Sequence, residues 1–122
     1  MREVRSNDWD TFCRRLNEFE RGAIINIEFL DRTGRMTEIA HTMPFGEINF
    51  GKRDACNDRM IIRGRDTAGT EHEIVEPIHI MLRETEGGAG FNAVAIEAEE
   101  GTTFVVFHPV IRPQWLDGLV LA

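Results

Sequence analysis

At 122 residues the chain has the length of one domain, enough to bury about two-thirds of its unfolded surface around a single core, and its 42% apolar and 29% charged content, with no low-complexity stretch, is that of a globular protein and argues against disorder. No apolar run approaches the roughly 18 residues of a membrane span, and Met1 to Arg5 lack the apolar stretch of a secretory signal, so a soluble cytoplasmic protein without a membrane partner is expected. The net charge of −7 is uneven: residues 1–65 carry 12 basic and 11 acidic side chains and residues 66–122 carry 2 and 10, a balance that repels phosphate backbones and argues against nucleic acid as a partner.

Trp9, Phe12, Cys13, Leu16 and Phe19 recur at helical spacing while Asp10, Arg14, Glu18 and Arg21 take the opposite face, which predicts an amphipathic helix over about residues 8–21. Ser6 or Asn7 is the expected cap and Gly22 the stop. The period then changes to two, with Ala23, Ile25, Ile27 and Phe29 on one face of a first strand. Asp31-Arg32-Thr33-Gly34 suits a three-residue hairpin loop that pairs Asp31 with Arg35. Extending that register sets Ile27 opposite Ile39 and Ile25 opposite His41, so His41 is expected to point inward from a second strand over 35–42. Pro44 and Gly46 are expected to end the ladder before a short strand at 47–50, and 51–57 reads as a polar loop.

The fourth and fifth strands are expected at 60–65 and 71–82. Pairing Arg65 with Glu71 and Arg63 with Glu73 matches opposite charges across the ladder and sets Ile62 opposite Ile74 and Gly64 opposite His72. His72 then also points inward. Pro77 cannot donate to a ladder, so the fifth strand bends or lies at an edge there. After a glycine-rich loop at 85–90, strands at 92–99 and 102–108 are joined by Glu100-Gly101, which sets Val94 opposite Phe107, and Pro109 and Pro113 stop the last one. Short connections throughout make the sheet antiparallel. The expected fold, spanning 1–122 as a single domain, is therefore α+β: one N-terminal amphipathic helix followed by a curled antiparallel β-meander of six to seven strands, a half-barrel or partly closed barrel, because one helix cannot cover the whole sheet.

Arg2-Glu3-Val4 followed by Trp9 and Phe12, Pro44-Phe45 with Ile48, His72-Glu73-Ile74 with Pro77, and Gly101-Thr102-Thr103 with Phe107, Pro113 and Asp117-Gly118 together resemble an uncharacterised bacterial family, a domain of unknown function. The resemblance spans nearly the whole chain and implies one full-length domain; it brings no catalytic residues with it and leaves function open. That family carries arginines around the Phe107 position, where this chain has Val106 and His108, so the resemblance implies no anion site there.

Candidate chemistry is sparse. His41 and His72 share the inward side, where neutral imidazoles serve as ligand-binding groups, general bases or metal ligands, but no nucleophile or metal-ligand spacing accompanies them. No metal or cofactor is expected. Cys13 lies on the buried helical stripe and Cys56 in a polar loop, without CxxC spacing, so both read as plain thiols. Gly87 to Gly90 joins two strands instead of opening a helix, so it is no phosphate cradle. The pairs Glu71/Glu73 and Glu97/Glu99 read as solvated strand faces. Arg59, Arg63 and Arg65, with Lys52 and Arg53, form a basic cluster that suits an anionic ligand or partner only if Glu71 and Glu73 leave it unpaired. Surplus apolar sheet surface makes a non-enzymatic module, one that self-associates as a homo-oligomer or binds another protein, the first functional reading. A small-molecule binder or hydrolase with a half-barrel cavity lined by His41 and His72 is the second.

Overall fold

The computed structural model describes residues 1–52, 58–66 and 68–120. Arg2–Val4 forms β1, a 3-10 turn spans Ser6–Asp8, and Trp9–Phe19 forms helix α1. The remaining strands are β2 (Ile24–Asp31), β3 (Met36–Lys52), β4 (Asp58–Gly64), β5 (Glu71–Val75), β6 (His79–Glu84), β7 (Phe91–Ala98) and β8 (Gly101–Ile111). They form one antiparallel sheet in the order β1-β6-β7-β8-β2-β3-β4-β5, which does not close and leaves β1 and β5 as edges. The α+β class, the leading helix and the curled antiparallel sheet match the expectation. Eight strands replace six to seven: β1 is new and the expected fifth strand is two, while the expected second and third strands are one, β3.

Helix α1 buries Trp9, Phe12, Cys13 and Leu16 against the sheet, each large apolar side chain contributing roughly 1.5–3 kcal/mol on full burial. Two polar contacts fix its placement. Trp9 Nε1 donates to the Val4 carbonyl at 3.0 Å, and Asn17 bonds Ile48 in both directions, donating to its carbonyl at 2.9 Å and accepting from its amide at 2.7 Å. The cap expected from Ser6 or Asn7 is not made. Instead the 3-10 turn feeds directly into the helix, the Asp8 amide donates to the Arg5 carbonyl at 2.9 Å, and the Asp8 carboxylate pairs with Arg5 at 3.2 Å. Phe19, last on the stripe, is 40% exposed and lies flat on Trp115, with centroids 5.3 Å apart.

The hairpin at 31–35 forms as expected: the Asp31 amide donates to the Arg35 carbonyl at 3.0 Å, and Gly34 takes a φ of 89°. Asp31 Oδ1 accepts from the Thr33 hydroxyl, the Thr33 amide and the Arg35 amide. These bonds, the Thr33 hydroxyl foremost, hold its carboxyl below the ordinary carboxylate range. Beyond Glu28, paired with Glu38, the register departs from the expected one: Ile27 faces Ala40 and Ile25 faces Met43, across two irregularities. Asn26 causes part of this, since its Oδ1 accepts the Thr42 amide at 2.6 Å in place of a ladder carbonyl, and Thr42 turns to a φ of 50°. His41 therefore faces solvent and Met43 takes the buried position expected for it.

Pro44 and Gly46 do not end the ladder either. β3 runs through them, pairing with β2 in its first half and with β4 in its second. The Pro44 carbonyl accepts the Arg65 amide at 2.9 Å, and the Phe45 amide donates to Ala23 at 2.7 Å. Between β4 and β5 the register is displaced by two residues: Arg63 faces Glu71, Ile62 faces His72 and Met60 faces Ile74. Asp66 sets this, its carboxylate accepting both the amide and the hydroxyl of Thr70, so the loop closes one step earlier with the Gly64 amide on the Thr70 carbonyl at 2.9 Å. Gly64 makes room for the buried Met43 side chain and not for an imidazole.

At Pro77 the expected strand divides. Glu76 takes a φ of 52°, its amide donates to Asp58 and the Ile78 amide to Glu97, and the chain passes from the β5 edge to β6 near the other edge. Strands β7 and β8 meet at a Glu99-Glu100 turn, so Val94 faces Val105 and not Phe107. Gly101, at a φ of 151°, lies so close to the Leu30 carbonyl that a β-carbon would overlap it. β8 continues through Pro109 to Ile111 before Pro113 opens a 3-10 turn. Inside the curl one contiguous core holds Phe12, Phe45 and Phe107, the last two in edge contact at 5.3 Å.

Candidate functional site

Because the sheet curls without closing, β5 approaches β7 and the start of β8 across an open seam. A cleft of about 180 Å³ lies in that seam, with Phe29, Ile39, Ile74, Val75 and Ala98 as its apolar walls and His72 and Thr103 as its polar groups. His72 Nε2 and the Thr103 hydroxyl share a hydrogen bond of 3.1 Å whose direction follows the imidazole tautomer. Thr103 is 1% exposed. Burial holds the His72 imidazole below its ordinary 6.5, so at neutral pH it is uncharged and offers one donor and one acceptor. Glu73 and Glu100 stand at the rim.

Alternation along β5 places His72 inward, as expected, but His41 is not its neighbour. His41 is exposed and its Nδ1 lies 3.3 Å from Glu38 Oε2. A paired-histidine cavity is thereby corrected to a cleft with one histidine and a threonine. His79 pairs with Glu3 at 2.8 Å at the opposite edge, and His108 is exposed on β8. Among the described residues no three His, Cys, Asp or Glu side chains gather where they would hold a metal ion. Burial, with a smaller contribution from Asp10, pushes the Cys13 thiol up to about 12, so it stays protonated and un-nucleophilic. Cys56 and Arg53 lie outside the described residues.

The basic cluster is divided. Arg59 pairs with Glu73 at 3.0 Å, and Arg63 sits between Glu71 at 2.8 Å and Glu47 at 3.2 Å. Arg59 and Arg63 are thus engaged by carboxylates, so the unpaired cluster expected from sequence is not met at these two positions. Arg65 stands apart, exposed beside Gly46.

Glu20 escaped the sequence reading. It ends α1 with 3% of its surface exposed, and its Oε1 has no hydrogen-bond partner. Burial pushes its carboxyl up to about 7, against a smaller opposing effect of Arg112. One signal was present: Glu20 stands four residues after Leu16, on the apolar stripe. Among the described residues no helix is long and apolar enough to cross a membrane. No family model, no curated protein and no solved structure matches the chain.

Proposed function

We propose that the domain is a non-enzymatic binding module that takes one small, uncharged, largely apolar molecule into the seam cleft. The observation that carries this reading is the hydrogen-bonded His72–Thr103 pair at 3.1 Å within otherwise apolar walls. An apolar cavity of about 150 Å³ accepts benzene, so about 180 Å³ suits a body of single-ring size, with one polar group to engage the imidazole or hydroxyl. Glu100 at the rim and the chain's net charge of −7 disfavour carboxylates and phosphates there. The test is a panel of neutral single-ring molecules titrated into isotopically labelled protein. Shifts confined to His72, Thr103 and Ala98, abolished by Ala98→Phe, support the reading; a panel that shifts nothing at millimolar concentration sinks it.

Self-association is the second reading, favoured by one observation. β5 is an open edge, flanked by Val75 at 42% and Ile78 at 51% exposure, and such an edge can pair with the same strand of a second copy. Light scattering across a concentration range decides it, a constant monomer mass excluding the dimer.

A further inference from the structure

A second cleft, of about 440 Å³, shares no residue with the first and collects Arg21, Arg63 and Arg65 around Gly46. Backbone bonds bring these positions together from three separate parts of the sequence. The Phe45 amide donates to Ala23 at 2.7 Å and the Gly22 amide reaches the Phe45 carbonyl, which lays Arg21 along one side of the 45–47 stretch. The Arg65 amide donates to Pro44 at 2.9 Å, which lays Arg65 along the other. Asn17, locked to Ile48 in both directions, fixes the last turn of α1 and with it the point from which Arg21 departs. Gly46 is required between them: a β-carbon would stand 2.8 Å from the Arg63 carbonyl and 3.1 Å from Arg65 Cγ.

The charges are unequal in what they can offer. Arg63 is met by Glu47 and Glu71, so that group is locally balanced and serves as a wall. Arg21 and Arg65 are exposed and face the same opening, and two guanidinium groups across a concave surface focus positive potential on it even in an acidic protein. We propose that this cleft binds the phosphate of a small molecule, Arg21 and Arg65 donating to its oxygens from opposite sides of Gly46. Phosphate fits better than a single carboxylate because it presents oxygens to both forks at once.

The experiment titrates pyrophosphate into the full chain at low salt while following arginine Nε–H resonances. Saturable shifts at Arg21 and Arg65 are expected, weakening with added salt, and loss of either charge in Arg21→Gln or Arg65→Gln should weaken binding by about tenfold. Glu47→Gln should leave it intact or tighten it. Arg32→Gln, on the far hairpin, is the control. Unchanged melting temperatures for Arg21→Gln and Arg65→Gln separate lost binding from lost folding. Absence of saturable shifts, or an equal loss in Arg32→Gln, overturns the proposal and leaves the seam cleft untouched.

Discussion

Replacing Glu20 with glutamine removes a buried charge while keeping the shape of the side chain, and its effect on stability should depend steeply on pH. The carboxyl is held at about 7 in the fold against an ordinary 4.5, which at 1.36 kcal/mol per pH unit amounts to about 3 kcal/mol. The folded value lies above the unfolded one, so the folded state holds a proton that the unfolded state has released. Stability is therefore undiminished below 4.5, falls as pH rises between 4.5 and about 7, and stays reduced above. Two neighbours shape the effect: the helix C-terminus disfavours the anion, and Arg112, poised 5.5 Å over the Trp115 ring, relieves it in part. Glu20→Gln should match the parent at pH 4.5 and exceed it at pH 8.5 by about 3 kcal/mol, a melting shift on the order of 10 °C for a chain of this size. Arg112→Gln should move the parent the other way at high pH. Thermal melts followed by circular dichroism from pH 4.5 to 8.5 provide the measurement. Parallel curves for parent and Glu20→Gln would refute the argument.

Other substitutions test the frame of the sheet and its seam. Gly101→Ala drives a β-carbon into the Leu30 carbonyl, a backbone overlap that no rotamer relieves, and should cost about 2–4 kcal/mol in urea unfolding; a smaller loss than Gly34→Ala would contradict the close approach. Phe12→Ala empties a fully buried position at the centre of the helix face and should cost about 3–5 kcal/mol, measurable in the same assay. His72 is held below its ordinary 6.5, so the unfolded state binds the proton more readily and stability is lost as pH falls below 6.5; His72→Gln should flatten that acid limb, and an unchanged limb counts against its buried, neutral state.

Local pattern was legible and closure was not. The stripe from Trp9 to Leu16 and the Asp31 to Arg35 loop rest on contacts within a few residues, and both match. Side-chain parity also survived where partners did not: the slips at β4–β5 and β7–β8 are each of two residues, which leaves Ile62, His72, Val94 and Val105 on their expected faces. An inserted irregularity has no such protection, so His41 was misplaced once Asn26 captured the Thr42 amide. Pro77 signalled a break, but nothing local tells that the strands before and after it lie toward opposite edges. Three-residue β1 is too short to carry a period. The seam cleft and the Arg21–Arg65 cleft depend on how far the sheet curls and where α1 docks, long-range quantities that no spacing records.

The 17-residue β3 ties the halves of the molecule into one cooperative unit. Its first half belongs to the β2–β8 side and its second to β4–β5, so neither side can open without tearing a strand that the other holds. Hydrogen exchange should reflect this, with the amide of the fully buried Phe45, bonded to Ala23 at the crossing, among the slowest and released only when the whole domain unfolds.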